Sequence, residues 1–125
     1  MTLLELTVVI LVMLTMITVL FIGTRVWRRG GDRAMCILHI QSVQKGMRGY
    51  ANLHGVAPGE HVPDLLHQII GFGCFVEVTP VCPGGGDYSF GTRYGINTIP
   101  PIATPYMECS LATTAQHVPS VTNDW

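Results

Sequence analysis

Between residues 3 and 22 the chain carries a single charged side chain, Glu5, in the run LLELTVVILVMLTMITVLFI. Read at the helical period, apolar residues fall on every face of this segment, which means burial in lipid or in a bundle and not an amphipathic surface helix. Twenty residues at helical rise cover about 30 Å, enough to cross a bilayer. After Trp27 the pattern loosens. Ala34, Ile37, Leu38, Gln41, Gln44, Lys45 and Arg48 mix a core stripe with solvent positions, so the same helix is expected to run on to about residue 53 and to pack under whatever follows. Thr15, Thr18, Val19, Gly23 and Thr24 are mediocre helix formers. Gly30, Gly31, Gly46 and Gly49 each lower helix propensity by about 1 kcal/mol relative to alanine, and Gly30-Gly31 is the expected bend.

The helix exit is read at residues 52–59, with Gly55 available for a left-handed cap and Pro58 unable to continue the helix. A short second helix is expected over residues 63–70, beginning at a proline and ending at Gly71. Residues 75–79 alternate like a strand and are followed by the tight CPGGG turn. Residues 87–92 and 106–111 supply two more short strands. Between them NTIPPIATP holds three prolines and is excluded as a central strand. An irregular tail begins at Thr113. The expected fold is α+β: a long N-terminal helix over residues 1–53, of which 1–23 are the apolar segment, packed against a small antiparallel sheet of two to four strands in a head of residues 54–125. So small a head buries little core and needs staples or neighbours.

Glu5 is the first candidate for chemistry. A carboxylate inside an apolar span costs several kcal/mol unless something pairs with it. The nearest candidate partner is an α-amino group. Between two parallel copies displaced along their axes, Glu5 of one meets the Met1 ammonium of the next, and both buried charges are matched. The same position also suits an ordinary anchor whose Glu5 snorkels to the membrane interface.

MTLLEL followed by a long apolar helix resembles the mature N-terminus of type IV pilins and of the pseudopilins of type II secretion. The segment CILHIQSVQKGMRGYANLHG, then VPDLL, CPGGGDYSFG and ECSL with His117 after it, is similar to a small pilin-like group with a short C-terminal domain. The resemblance implies a lollipop-shaped subunit of an extracellular helical filament. Met1 is then the N-methylated residue left when a prepilin peptidase removes a basic leader, and Glu5 pairs with a neighbour's N-terminus during assembly. It further implies residence in the inner membrane before assembly, and an assembly machinery as partner. The alternative within the family is a pseudopilin acting as a periplasmic piston. Outside it stands a single-pass anchored binding module. Arg25, Arg28, Arg29 and Arg33 follow the apolar run, where the positive-inside rule taken alone places the head in the cytoplasm; in the family the basic leader counters this.

Composition narrows the functions. With seven Lys and Arg and a net charge of −1, no basic field exists for nucleic acid, and none is expected as a partner. The four cysteines, Cys36, Cys74, Cys82 and Cys109, read in an exported chain as disulfides with three connectivities open. Cys82 with Cys109 is the first choice, since both fall at strand-like segments flanking a Gly/Pro-rich excursion. Closing that loop contributes about 3.5 kcal/mol in the chain-entropy model. Cys36 with Cys74 follows by elimination. No C-x-x-C spacing is present, which disfavours zinc, thioredoxin chemistry and c-type haem.

His39, His54, His61, His67 and His117 show no i, i+4 pairing and no carboxylate cluster beside them, so they read as scattered surface or core residues. Glu77, Glu108, Asp64, Asp87 and Asp124 form no recognisable calcium loop. Gly84, Gly85 and Gly86 lack the Lys-Ser/Thr of a phosphate loop and read as a hairpin turn. Phe21, Trp27 and Tyr50 are too widely spaced to stack and read as packing. No nucleophile–base motif appears, so no enzyme, no cofactor and no metal are expected.

Overall fold

The computed structural model describes residues 2–125, and Met1 lies outside them. The order of elements is α1 (Leu3–His54), α2 (Leu65–Ile69), β1 (Tyr88–Phe90) and β2 (Met107–Cys109). The layout is α+β, with one long helix near the N-terminus and a two-stranded antiparallel sheet. Two compact units divide the chain, Met1–Gly31 and Asp32–Trp125.

In the first unit the helix is exposed on every face. It is long and apolar enough to cross a membrane, and none of its most apolar stretch is buried. Its threonines do not leave polar groups open: the hydroxyls of Thr7, Thr15, Thr18 and Thr24 donate to the carbonyls of Leu4, Val12, Thr15 and Phe21, each three residues back. A segment whose hydroxyls bond back to its own backbone presents almost no unsatisfied donor to an apolar surrounding. Gly30 and Gly31 lie inside the helix, which is continuous through them, and they fall at the boundary of the two units.

In the second unit the helix buries Cys36, Ile40, Val43, Gln44, Met47, Tyr50 and Ala51, a stripe at three- and four-residue intervals. Leu65, Ile69, Ile99, Tyr106 and Met107 close over it. Gly46 and Gly49 owe their place to Phe75, because a Cβ on either would come within 3.0 Å of that side chain. Phe75 in turn meets the Tyr50 ring edge-on at 6.5 Å. The helix ends as expected at Gly55, which has φ 66, while the Val56 N–H donates to the Ala51 carbonyl at 2.9 Å. That six-to-one bond is the Schellman stop.

The proline-rich segment is held from the helix by side chains instead of a sheet. Gln44 donates to the Thr104 carbonyl at 3.1 Å and accepts from the Tyr106 N–H at 2.9 Å. Arg48 donates to the carbonyls of Pro100, Pro101 and Trp125 at 2.9, 3.0 and 3.1 Å, and burial lowers its pKa. Two of these carbonyls also accept backbone N–H groups, Pro101 from Thr104 and Trp125 from Ala103, so the donors on α1 add to a segment poor in N–H groups of its own.

The expected strands over residues 87–92 and 106–111 appear as β1 and β2, paired Tyr88 to Cys109, Ser89 to Glu108 and Phe90 to Met107. The expected strand over residues 75–79 does not form. Only Val76 makes a bridge, with Ile70, because the chain turns back through left-handed Gly73 and leaves Val78 and Val81 exposed without a partner. The second helix is shorter than expected at both ends, since Asp64 adopts φ 56 and Ile70 is extended.

Candidate functional site

Four side chains remote in sequence converge in the head: Cys36, Cys82, Cys109 and His117. All four are buried, and their donor atoms lie within 4.8 Å of one another. Each is delivered by a different element. Cys36 stands on the buried stripe of α1 and Cys109 ends β2.

Cys82 opens the CPGGG turn, where the Gly85 N–H donates to the Cys82 carbonyl at 3.1 Å. Three residues on from Cys109 the same bond recurs, from the Ala112 N–H to the Cys109 carbonyl at 3.1 Å. In both turns a backbone N–H two residues after the cysteine, that of Gly84 or of Leu111, serves the sulfur. His117 is brought in by the tail. Gln116 adopts φ 55 and accepts a hydrogen bond from Arg33 Nη1 at 3.1 Å, while the His117 N–H donates to the Leu111 carbonyl at 3.2 Å.

The Cys109 and Cys82 sulfurs are 3.7 Å apart, and His117 Nδ1 lies 3.4 Å from Cys82 Sγ and 4.0 Å from Cys109 Sγ. The fit is tight. A Cβ on Gly84 would meet His117 Cε1 at 2.8 Å, and one on Gly86 would meet Cys109 Sγ at 2.9 Å.

Burial pushes the Cys36 thiol up to about 12, with the Tyr88 hydroxyl partly opposing. Burial likewise raises Cys82, but the N–H groups of Gly86 and Gly84, together with the Cys109 and Cys36 thiols, outweigh it and hold this thiol below the usual range. Cys109 is raised, chiefly by burial. Tyr88 is raised as well, by burial and by its bond to Cys36, and its hydroxyl lies 3.2 Å from His39 Nδ1. The pocket therefore holds three sulfurs of unequal acidity and one imidazole nitrogen, with N–H and O–H donors around the sulfurs.

All four cysteines are free thiols. Cys82 and Cys109 come together, but Cys36 joins them instead of Cys74. Cys74 stands apart at the Gly71 turn, its thiol 3.5 Å from the His67 carbonyl. The pair expected by elimination, Cys36 with Cys74, is thus not brought together in this structure. The expectation that the histidines are scattered holds for four of them. His39 faces Tyr88, His54 stacks on Tyr50 at 4.1 Å, His61 bridges Thr98 and His67 sits 2.6 Å from Asp64. His117 departs from it. The glycines 84–86 form a turn but not the expected hairpin, since no strand precedes them among the described residues; the turn aims N–H groups at Cys82 and lets His117 and Cys109 approach. The missed signal was the repeated pattern of a cysteine opening a tight turn, C-P-G-G and C-S-L-A, with a histidine beyond the second.

At the other end, the Glu5 N–H lies 3.4 Å from Thr2 Oγ1, and its carboxylate is exposed with no ion pair among the described residues. The assembly and methylation roles expected of Met1 fall outside the described residues. Comparison with protein-family models, with curated proteins and with solved structures gives no match.

Proposed function

We propose that the chain is the structural subunit of a type IV pilus-like helical filament, held in the inner membrane before assembly and displayed at the cell surface afterwards. The observation that carries this reading is the N-terminal helix itself. Over residues 3–22 it is apolar on every face, its hydroxyls are bonded internally, and the one carboxylate there, Glu5, lies in the first turn. An exposed apolar surface of that length needs lipid or other copies of itself. In the membrane Glu5 stays near the interface. In the fibre it meets the Met1 ammonium of an adjacent subunit, so leaving lipid exchanges one dry surrounding for another. A repeated contact between two different faces of identical subunits does not close and generates a fibre.

Glu5→Val should leave the chain in the membrane at normal amounts while sheared surface filaments fall about ten-fold or more, a buried charge left without its partner being worth several kcal/mol. Membrane fractionation with electron microscopy of sheared material reads both quantities. Normal filament yield from Glu5→Val refutes the charge pairing. Short periplasmic assemblies with nothing outside the cell assign the chain to a secretion piston instead.

A further inference from the structure

We propose that Cys36, Cys82, Cys109 and His117 form a structural zinc site that clamps the head. The distances fit a shared ion. Two thiolates bound at about 2.3 Å to one tetrahedral zinc stand about 3.8 Å apart, and a thiolate and an imidazole nitrogen about 3.6 Å. The observed separations are 3.7 Å for the two sulfurs and 3.4 and 4.0 Å for sulfur to nitrogen. A disulfide needs about 2.05 Å. The widest edge of the cluster is within 4.8 Å, so a shift of about 1 Å completes the tetrahedron.

The surroundings suit the ion as well. Three thiolates and a neutral imidazole around a dication leave one net negative charge, and the N–H groups of Gly84, Gly86 and Leu111 with the Tyr88 hydroxyl are placed to stabilise it. Donors to ligating sulfur of this kind orient and tune the ligands. On binding, the three thiols release their protons to solvent and the ion sheds its waters. Four protein ligands close the coordination sphere, so the site has no open position for substrate and its role is structural. Soft sulfur with one imidazole favours zinc over calcium or magnesium. Bound zinc also keeps Cys82 and Cys109 from oxidising to each other. The inference stands on the head alone and does not depend on filament formation.

The test uses the full chain extracted in detergent, freed of reductant and never exposed to chelator. Elemental analysis should give one zinc per chain. Replacement by cobalt(II) alone should give the visible bands of tetrahedral cobalt with sulfur-to-metal charge transfer. Cys36→Ser, Cys82→Ser, Cys109→Ser and His117→Ala should each lower metal retention about ten-fold or more, whereas Cys74→Ser should keep it. His117→Cys should retain cobalt with a spectrum shifted toward four sulfurs, which separates ligand loss from failure to fold. The proposal is overturned by a metal-free wild-type chain, by octahedral cobalt, by equal loss in Cys74→Ser, or by a Cys82–Cys109 disulfide in peptide mass maps of the chain recovered from cells.

Discussion

Tyr106 donates its hydroxyl hydrogen to the Ile96 carbonyl at 2.6 Å and is almost wholly buried, and burial pushes its pKa up to about 12. The phenol loses its proton less readily folded than unfolded, where its value is the ordinary 10. Its contribution to stability is therefore complete below pH 10 and is lost as the pH rises from 10 to 12. Tyr106→Phe should flatten that part of the alkaline unfolding curve while costing about 1 kcal/mol near neutrality for the lost hydrogen bond. Denaturant titrations at a series of pH values separate the two effects, and an unchanged alkaline slope would remove Tyr106 as its source. None of this was readable in the sequence, because a tyrosine beside a proline-rich stretch shows nothing of the carbonyl it reaches. The same holds for His117. Its partners lie on a helix, a turn and a strand end that only folding brings together.

Two glycines of α1, Gly30 and Gly46, have opposite surroundings. Gly30 has nothing within 4 Å of where a Cβ would stand, whereas a Cβ on Gly46 would sit 3.0 Å from the Phe75 Cβ and 3.4 Å from Ile69 and Val76. Helix propensity favours alanine by about 1 kcal/mol at either position, but overpacking costs about 1–3 kcal/mol. Gly30→Ala should raise helicity of the detergent-solubilised chain, and Gly46→Ala should lower the head's unfolding midpoint. Circular dichroism during thermal unfolding distinguishes them; stabilisation by both would mean that Phe75 gives way freely. The apolar run and the stop at Gly55 were legible because both are local, the first in period and the second in the left-handed freedom of glycine. The strand expected at residues 75–79 was not, because alternation describes a surface that needs a neighbour, and the chain supplies one only at Val76, opposite Ile70.

As a whole molecule, the head has little regular structure to hold it: two three-residue strands, a five-residue helix and one face of α1. Net stabilities of domains are about 5–15 kcal/mol, and structural zinc in small peptides contributes about 10–16 kcal/mol. The proposed ion therefore outweighs any single packing contact. Chelation should unfold the head at temperatures where the metal-loaded chain is stable, while the helical signal of the apolar segment persists. Trp125 emission in a Trp27→Phe chain reports the head alone, and an unchanged midpoint after complete metal removal would deny the ion its structural role. Sequence by itself determined the long helix, the apolar run at its start with one carboxylate, the cap that ends the helix and the two strands that follow the CPGGG turn. Each of these is written in neighbours a few positions apart, where period and backbone preference act. Only the tertiary structure decided which sulfurs meet and that a histidine meets them. Those four groups come from residues 36 to 117, and no spacing rule links positions whose proximity is set by how the core closes.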